Sequence, residues 1–560
     1  MTPQPPPVET LIDDYVALRI DRREFFKRAG AIGISMSAAG ALLARVGSAR
    51  SAGFAAAGPR KGGILREGYD RDVNRCDPVN TAWWDPSLYP ALHETLIATD
   101  PNGKFVPMLA ESWTVSPDGL EWTFILRKGL KFQSGAPFDA AAVAAAMRLF
   151  AKPPGTNFGF WAPVKSISAK GKRTVKVRFS HPYADFPYVL NNGYSAIFNV
   201  SARKKLGDNY GVKGTDGTGP FTLKEFMPGS HVLVKRWDSY QGTILPFFKN
   251  KGKALVDGIR WEVLPEPATR AKEIEAGNID TLRGPAPQDV DRLKKNKNLA
   301  VIEFQEPSLY QLGVNFRNTE LGFDDARVRQ ALSHAIDRKT IADKIFFGKA
   351  DPAYTLIPSK APYYDPSVEK FGTFNPDKAK ALLDAAGWKV GSDGIRRKNG
   401  KKLSFKIIIE QDRTEALVTQ AVQQMLRKVG VDMSFTEHGA DYFTVLFKGP
   451  VGYMIKQLWT NVIDASLLFA SSKYFIPACC NATYSKIPAL DRALNDWQTA
   501  SSESELRSAS RRAQRISAEQ LPFIPIVTPH VVWVHSKKVH GWLPSQSNLY
   551  PFYNDVWIEA

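Results

Sequence analysis

Residues suited to covalent or phosphoryl-transfer chemistry do not form a recognisable pattern in this chain of 560 residues. The sequence has no Gly-x-Ser-x-Gly nucleophile elbow, and His93-Glu94 lacks the second histidine of a zinc-protease helix. Gly217-Thr218-Gly219-Pro220 has no lysine at the spacing of a phosphate loop, so we interpret it as a tight turn into a strand at Phe221. A catalytic triad scattered along the chain leaves no such motif. These absences nevertheless favour a protein that is not an enzyme.

The histidines and cysteines show no clear metal or redox pattern. His530, His535 and His540 recur every five residues. This spacing does not place them on one face of a strand or on one face of a helix. We therefore predict no metal site and no cofactor. Cys479-Cys480 is an unusual pair, for which two buried thiols are the favoured interpretation, because a disulfide needs a defined geometry. A vicinal disulfide, or a bond from either residue to Cys76, remains open.

The composition is that of a soluble globular protein with more than one domain. Hydrophobic residues make up 44% of the chain and charged residues 23%, which excludes a disordered chain, a coiled coil and a polytopic membrane protein. Its length exceeds what one compact core holds, so two or three domains are expected. Three cysteines exclude a disulfide scaffold. The formal charge of +18 is compatible with anionic partners but specifies no fold.

The N-terminal segment resembles a twin-arginine export signal. Arg22-Arg23 is followed by Phe25-Phe26-Lys27 and then by a mildly apolar stretch from Ala29 to Ala44, which is too short to be a comfortable membrane-spanning helix. Ala55-Ala56-Ala57 offers an Ala-x-Ala cleavage site. We therefore predict that residues 1–57 are a signal peptide and that the mature protein is periplasmic. The alternative is a basic amphipathic helix that stays on the protein.

Patterns of period 2 and period 3.6 alternate through the remaining chain. Val115 to Leu126 predicts two strands around the turn Ser116-Pro117-Asp118-Gly119, and Asp139 caps a predicted helix that runs to Phe150. A long helix is predicted from Asp324 to Phe347. A strand over 403–410 is followed by a helix over 414–429. Strands interleaved with helices indicate α/β lobes with mixed sheets.

Several segments spread over the whole mature chain together resemble the large solute-binding proteins of ABC importers, of the oligopeptide, dipeptide and nickel type known as family 5. Each segment alone is weak, but their combination and order are specific. They are Leu109-Ala110-Glu111-Ser112-Trp113 with Trp122-Thr123-Phe124 and Pro137-Phe138-Asp139, Gly217-Thr218-Gly219-Pro220-Phe221, Gly313-Val314-Asn315 with Arg327-Val328-Arg329-Gln330-Ala331-Leu332, and Pro376-Asp377-Lys378-Ala379 with Ala386-Gly387-Trp388.

The resemblance implies a two-lobed periplasmic-binding-protein fold of the large, type II kind, with a hinge of two segments. We place the first crossover near Val301–Glu306 and the return near Leu521–Val527. Lobe I is then residues 58–303 plus 522–560, with an inserted subdomain, and lobe II is residues 304–521. The implied partners are a small-molecule or peptide ligand and an ABC permease with its ATPase subunits. A monomer that binds no nucleic acid is expected.

The resemblance also implies where ligand binds. In peptide-binding relatives a tryptophan at the position of Trp459 precedes, by three residues, an aspartate that pairs with the peptide's α-ammonium group. Here that third residue is Val462, and Asp464 lies two positions later. We predict seven ligand-binding residues. Four are on the lobe II segment, two follow Asp77-Pro78 where relatives carry a strand and loop that often line the cleft, and one lies just past the crossover: Trp459, Thr460, Asn461, Asp464, Trp83, Trp84 and Tyr310.

Other ligands and other classes of protein stay open. Without the carboxylate at position 462, a buried ammonium is costly, so an oligosaccharide, an opine or a metal chelate is an alternative to a peptide. An exported hydrolase would need a nucleophile, a base and oxyanion donors that converge in the cleft. A basic scaffold for nucleic acid or anionic lipid would need a contiguous Lys/Arg face.

Overall fold

The computed structural model describes residues 58–70, 72–73, 75–79, 88–101, 104–152, 161–183, 186–191, 193–306, 308–361, 363–439, 441–449, 452–458, 468–475, 480–500, 503–544 and 551–559, together with Ala29. By its internal contacts the chain divides into a unit of residues 1–60 with Glu559 and a unit of residues 61–558 with Ala560. The predicted export signal, residues 1–57, lies outside the described residues except for Ala29. The second unit carries the strands and helices that follow.

The strands are numbered in chain order. They are β1 (Ile64–Tyr69), β2 (Ile97–Thr99), β3 (Phe105–Pro107), β4 (Ala110–Val115), β5 (Glu121–Leu126), β6 (Val164–Lys170), β7 (Thr174–Phe179), β8 (Phe221–Met227), β9 (His231–Arg236), β10 (Gly258–Val263), β11 (Thr281–Arg283), β12 (Leu299–Gln305), β13 (Ser308–Gly313), β14 (Ala350–Pro352), β15 (Lys389–Val390), β16 (Arg396–Lys398), β17 (Lys401–Lys402), β18 (Ser404–Glu410), β19 (Asp432–His438), β20 (Gly452–Leu458), β21 (Ile524–Ser536), β22 (Val539–His540), β23 (Leu543–Pro544), β24 (Pro551–Phe552) and β25 (Trp557–Ile558).

The helices alternate with these strands. They are α1 (Tyr89–Leu92), α2 (Ala140–Phe150), α3 (Phe186–Leu190), α4 (Val200–Leu206), α5 (Pro267–Ala276), α6 (Val290–Lys295), α7 (Ala326–Ala335), α8 (Arg338–Lys344), α9 (Pro376–Ala385), α10 (Arg413–Arg427), α11 (Tyr442–Lys448), α12 (Pro488–Thr499) and α13 (Glu503–Gln520). Short 3₁₀ turns lie at Gly193–Ser195, Gly207–Asn209, Pro287–Asp289, Thr319–Leu321, Pro366–Phe371 and Ser472–Tyr474. Within the described ranges, no helix is both long and apolar enough to cross a bilayer.

One mixed sheet runs through the unit, in the order β19-β18-β20-β13-β21-β11-β1-β10-β9-β8. β21 joins its two parts. The N-terminal end of β21 pairs with β13 and β14, and from His530 onwards it pairs with β12 and β11. Because one long strand belongs to both parts, the two lobes of this α/β fold meet where β21 exchanges its partners. The predicted first crossover, Val301–Glu306, lies along β12 and just beyond its end.

Each part of the fold has its own apolar core. On the β13–β20 side, α7, α9 and α10 pack on the sheet around residues such as Leu332, Leu383 and Val422. A second core surrounds Trp261 and Trp533 on the β1–β11 side. A third fills the space between α2 and the sheet β4-β5-β7-β6, which is inserted in the chain between β1 and β8. Separate cores show that the unit of residues 61–558 is built from several packed parts.

Local sequence accounts for several boundaries. The predicted hairpin is confirmed: β4 ends at Val115, β5 begins at Glu121, and Gly119 has φ +69° in the turn between them. The cap is confirmed as well, because the Asp139 carboxylate accepts from the Ala142 amide at 2.9 Å at the start of α2. The single long helix predicted from Asp324 to Phe347 is wrong. The chain forms α7 and α8 instead, because Asp337 caps a new helix through the Thr340 amide.

The glycine-rich segment before β8 has a packing role. A Cβ on Gly217 would overlap the Leu92 carbonyl oxygen and the His93 ring, and one on Gly219 would overlap the Ala91 carbonyl. Only glycine lets this turn lie directly on the end of α1 and on His93, which follows it. The structure thus confirms a tight turn into the strand at Phe221.

The basic residues of α7 and α8 serve the fold. Arg329, 2% exposed, donates to the backbone carbonyls of Gln520 and Phe323, which ties α7 to the end of α13. Arg338 likewise donates to the carbonyls of Ala353 and Pro525. Burial lowers the pKa of both guanidinium groups to about 10, which leaves them charged at neutral pH.

Candidate ligand-binding site

The ends of three strands meet at one edge of the part of the sheet formed by β18, β20 and β13. β18 and β20 are parallel and end at Glu410 and Leu458, and β13 begins beside them because Ser308 pairs with Leu458 in an antiparallel register. In α/β folds ligands bind outside the carboxyl ends of the strands. This edge is therefore the candidate site.

A buried carboxylate lies at the crossover. Glu306, between β12 and β13, is 3% exposed. One of its oxygens accepts from Arg283 Nη2 of β11 at 2.9 Å, and the other accepts from Lys456 Nζ of β20 at 2.6 Å and from Ser308 Oγ at 2.8 Å. Burial alone would raise the pKa of Glu306, but Lys456 and Arg283 outweigh it and hold that pKa below its ordinary value. One charged group thus joins β11 to β20, which lie in the two parts of the mixed sheet.

Glu415 fixes the ends of β18 and β20 relative to each other. Its carboxyl, in the first turn of α10, accepts from the Glu410 amide at 2.8 Å and from the Lys456 amide at 3.2 Å. Asp412 caps the same helix by accepting from the Glu415 amide at 2.8 Å. Burial, with nearby Glu410 and Asp412, raises the pKa of Glu415 well above its ordinary value. The placement of β20 beside β18 therefore depends on this carboxyl.

Tyr310, one of the predicted ligand contacts, lies inside lobe II with 4% of its surface exposed. Its ring packs against Phe346 at a centroid distance of 5.7 Å, and its backbone pairs with Lys456. Burial and the charges of Asp412 and Glu415 raise the pKa of its hydroxyl well above the ordinary value. Tyr310 is therefore part of the apolar core on the β13–β20 side, and direct contact with ligand stays a prediction.

The other predicted contacts lie outside the described residues: Trp459, Thr460, Asn461, Asp464, Trp83 and Trp84. The structure does describe the strand that leads to the first of them, since β20 ends at Leu458. Their contact with ligand also stays a prediction.

Sequence reasoning overlooked the charged residues at this edge, namely Arg283, Glu306, Glu415 and Lys456. A usable signal existed, because Lys456 follows the apolar run Tyr453-Met454-Ile455 and Arg283 ends a short apolar strand. A charge within or just after an otherwise buried strand needs a partner, and only the fold reveals which partner it has.

The histidines and cysteines have separate surroundings. His540 stacks on Trp557 at 4.0 Å, His535 lies 5.5 Å from Trp542, and His530 contacts Glu303 and Asp351, so the three do not converge. Cys480 is disulfide-bonded, so the favoured expectation of two thiols at 479 and 480 is wrong. A bond to Cys76 is excluded, because that residue is buried in the lobe I core as a thiol.

Comparison with known families identifies the class. The family of bacterial extracellular solute-binding proteins, family 5, matches residues 104–472, and the chain belongs to this family. Such proteins capture small solutes or peptides for ABC importers, and the relatives below are binding proteins rather than enzymes.

Curated relatives cover most of the chain. The glutathione-binding protein GsiB of Salmonella typhimurium (strain LT2) is 28% identical over 469 residues, which is 81% of this chain and 86% of that protein. The nickel-binding periplasmic protein of Escherichia coli (strain K12) is 27% identical over 421 residues, 72% of this chain and 78% of that protein.

Solved structures show the same fold. The oligopeptide-binding protein AppA of Bacillus subtilis, in complex with a nonapeptide, has a TM-score of 0.75 at 22% identity and covers 90% of this chain and 100% of its own. NikA of Brucella suis, in complex with Fe(III)-EDTA, has a TM-score of 0.75 at 24% identity and covers 89% of this chain and 100% of its own. The predicted two-lobed α/β fold is confirmed.

Proposed function

We propose that this protein is the periplasmic substrate-binding subunit of an ABC importer, and that it captures a peptide or another small polar solute between its two lobes. The observation that carries the proposal is the family match across the crossover, since residues 104–472 include β12, β13 and β20. The lobes rotate about the segments near Val301–Glu306 and Leu521–Val527. Ligand favours the closed state because it binds that state more tightly. The closed monomer then docks on the permease.

The relatives indicate which ligands to test. Their ligands, as named, are glutathione, nickel and a nonapeptide. Glutathione is peptide-like and rich in carboxylates, so peptides and peptide-like acids are the first class. Val462, which replaces the aspartate of peptide-binding relatives, argues against reliance on a free α-ammonium group. A metal chelate, an opine or an oligosaccharide is the alternative.

The first experiment isolates the mature protein, residues 58–560, from its native host and analyses it by native mass spectrometry. A retained mass identifies the ligand class directly. If the protein is empty, a thermal-shift screen follows with glutathione, dipeptides, nickel–histidine, an opine and an oligosaccharide, because a ligand that binds the folded state raises its stability. The proposal is contradicted if neither experiment detects binding of any small solute.

Trp459 tests the site. Once a ligand is known, Trp459→Ala should weaken its affinity by more than about fivefold, because a buried aromatic wall contributes about 1 kcal/mol or more. Trp113→Ala, in β4 of the inserted subdomain, is the matched control and should leave the affinity unchanged. Isothermal titration calorimetry measures both. A change in affinity of less than twofold for Trp459→Ala would show that Trp459 is not part of the ligand-binding site.

Export by the twin-arginine route is tested in the same host. Replacing Arg22 and Arg23 together by lysine should retain the precursor in the cytoplasm, as fractionation and immunoblotting would show. The single change Arg45→Lys, beyond the apolar stretch, is the control and should leave export intact. Equal export of the double variant and the control would refute the assignment.

A further inference from the structure

His530 occupies the point at which β21 exchanges one set of partners for another. Its backbone pairs with Gln305, the last residue of β12. Thr528, two residues earlier on β21, pairs with Asp351 of β14. Side chains two residues apart on a strand share a face, so His530 has diagonal neighbours on β12 and on β14. By the predicted boundaries, β12 is the last strand of lobe I before the crossover, and β14 belongs to lobe II.

Both ring nitrogens of His530 contact carboxylates. Nδ1 lies 2.7 Å from Glu303 Oε1, and Nε2 lies 3.0 Å from Asp351 Oδ2. A neutral imidazole has one N–H and one lone pair, so it can donate to only one of these acceptors. Two simultaneous hydrogen bonds therefore require the imidazolium, which donates to both.

Other charged and polar groups also contact the two carboxylates. Lys294 of α6 holds the other oxygen of Glu303 at 2.5 Å, and Lys360 lies 3.5 Å from Asp351. The side-chain Nε2 of Gln305 also donates to Asp351 Oδ2 at 2.7 Å. Further charged groups near the ring are paired with each other: Lys349 with Asp291, and Glu306 with Arg283 and Lys456.

The balance of these groups favours a protonated ring. Burial lowers the pKa of His530, but the hydrogen bonds to Asp351 and Glu303 outweigh it and raise that pKa above its ordinary value of 6.5. The hydrogen bonds with His530 in turn lower the pKa values of Glu303 and Asp351 to about 2, so both stay ionised. The contacts are thus those of a cation between two anions.

We propose that His530 is a proton-dependent latch across the hinge: its imidazolium ties β12 of lobe I to β14 of lobe II, and loss of one proton frees a carboxylate and loosens the crossover. The lone pair of the neutral ring faces an ionised carboxylate in a part-buried site, where the side chains of His530, Glu303 and Asp351 are 12%, 19% and 31% exposed. This repulsion breaks one of the two contacts. The latch goes beyond ligand capture and responds to the acidity of the compartment that the mature protein occupies.

The latch is tested on the ligand-free mature protein, so its failure is separable from failure of the proposed binding function. Histidine ¹⁵N NMR, with His530 assigned by its absence in His530→Gln, reports whether both ring nitrogens carry protons. We expect the doubly protonated ring at pH 6.5 and a transition above that value. A neutral His530 at pH 6.5 overturns the proposal.

Hydrogen exchange then measures the hinge itself. After correction for the pH dependence of intrinsic exchange, protection of the amides in 299–305 and 524–536 should fall at least about tenfold as pH rises through the His530 transition, because a charge-assisted hydrogen bond is lost. His530→Gln should have low protection at every pH. His535→Gln, on the same strand with its Nδ1 against the Ser536 carbonyl, should behave as the wild type does.

A second variant keeps the test decisive if His530→Gln does not fold. Asp351→Asn preserves the shape of the side chain and removes one anion, so the protection change should shift to lower pH and shrink. The proposal is overturned if wild-type protection is independent of pH, or if His530→Gln or Asp351→Asn retains the full wild-type response.

Discussion

The ionic contact between Arg283 and Glu306 should contribute measurably to stability, and Arg283→Met tests it. The side chain of Glu306 is 4% exposed and that of Arg283 11%. Removing one member of a buried pair costs about 3–5 kcal/mol when it leaves the other charge without a partner. Here Lys456 stays with Glu306 at 2.6 Å, and its own side chain is 30% exposed. We therefore expect a smaller loss, about 2–3 kcal/mol.

Urea denaturation at pH 7 measures this loss. Methionine keeps most of the volume that arginine fills beside Trp533, over which the guanidinium lies at 5.6 Å. The matched control is Arg512→Met, which removes an arginine paired with Asp496 on the surface, where both side chains are about half exposed. That change should cost less than about 1 kcal/mol.

A double-mutant cycle isolates the pair. Arg283→Met and Glu306→Gln together should cost less than the sum of the single changes, by about 1.5–3 kcal/mol, because the second change removes the charge that the first one leaves behind. A loss below about 1 kcal/mol for Arg283→Met, or a coupling energy near zero, would refute the inference that this contact stabilises the crossover.

Three further changes probe stability. Burial raises the pKa of Glu67 from 4.5 to about 7, so the contribution of this carboxyl to stability is complete below pH 4.5 and is lost as pH rises through 7. Relative to Glu67→Gln, the wild type should lose about 3 kcal/mol of unfolding free energy between pH 4.5 and pH 7, as measured by urea denaturation. Equal pH profiles of the two proteins would contradict this. Asp139→Ala should cost about 1 kcal/mol through loss of the α2 cap, measured by the same denaturation, and no change would discount the cap. Gly217→Ala should lower the melting temperature by several degrees, because the added Cβ overlaps the Leu92 carbonyl oxygen. Gly449→Ala, whose Cβ would lie in open space, should leave the melting temperature unchanged. Equal effects of the two changes would contradict the packing role of Gly217.

Local patterns predicted the elements best where a few neighbouring residues settle the structure. The turn at Ser116–Gly119 and the cap at Asp139 depend on contacts within five residues, and both were predicted correctly. The helix from Asp324 to Phe347 failed because Asp337, which reads as one more polar residue on a helical face, serves as a second cap. Its capping role depends on the direction that the chain takes after α7.

The amino-acid sequence was sufficient for the family and the α/β class, because these depend on motifs and on hydrophobic periodicities that can be recognised without coordinates. Tertiary structure alone brought Arg283, Glu306 and Lys456 together, and it alone placed His530 between Glu303 and Asp351. The partners in these contacts are up to 227 positions apart in the chain, as Glu303 and His530 are. Such contacts arise because β21 pairs with strands of both lobes, and no local pattern encodes which side chains two distant strands will set side by side.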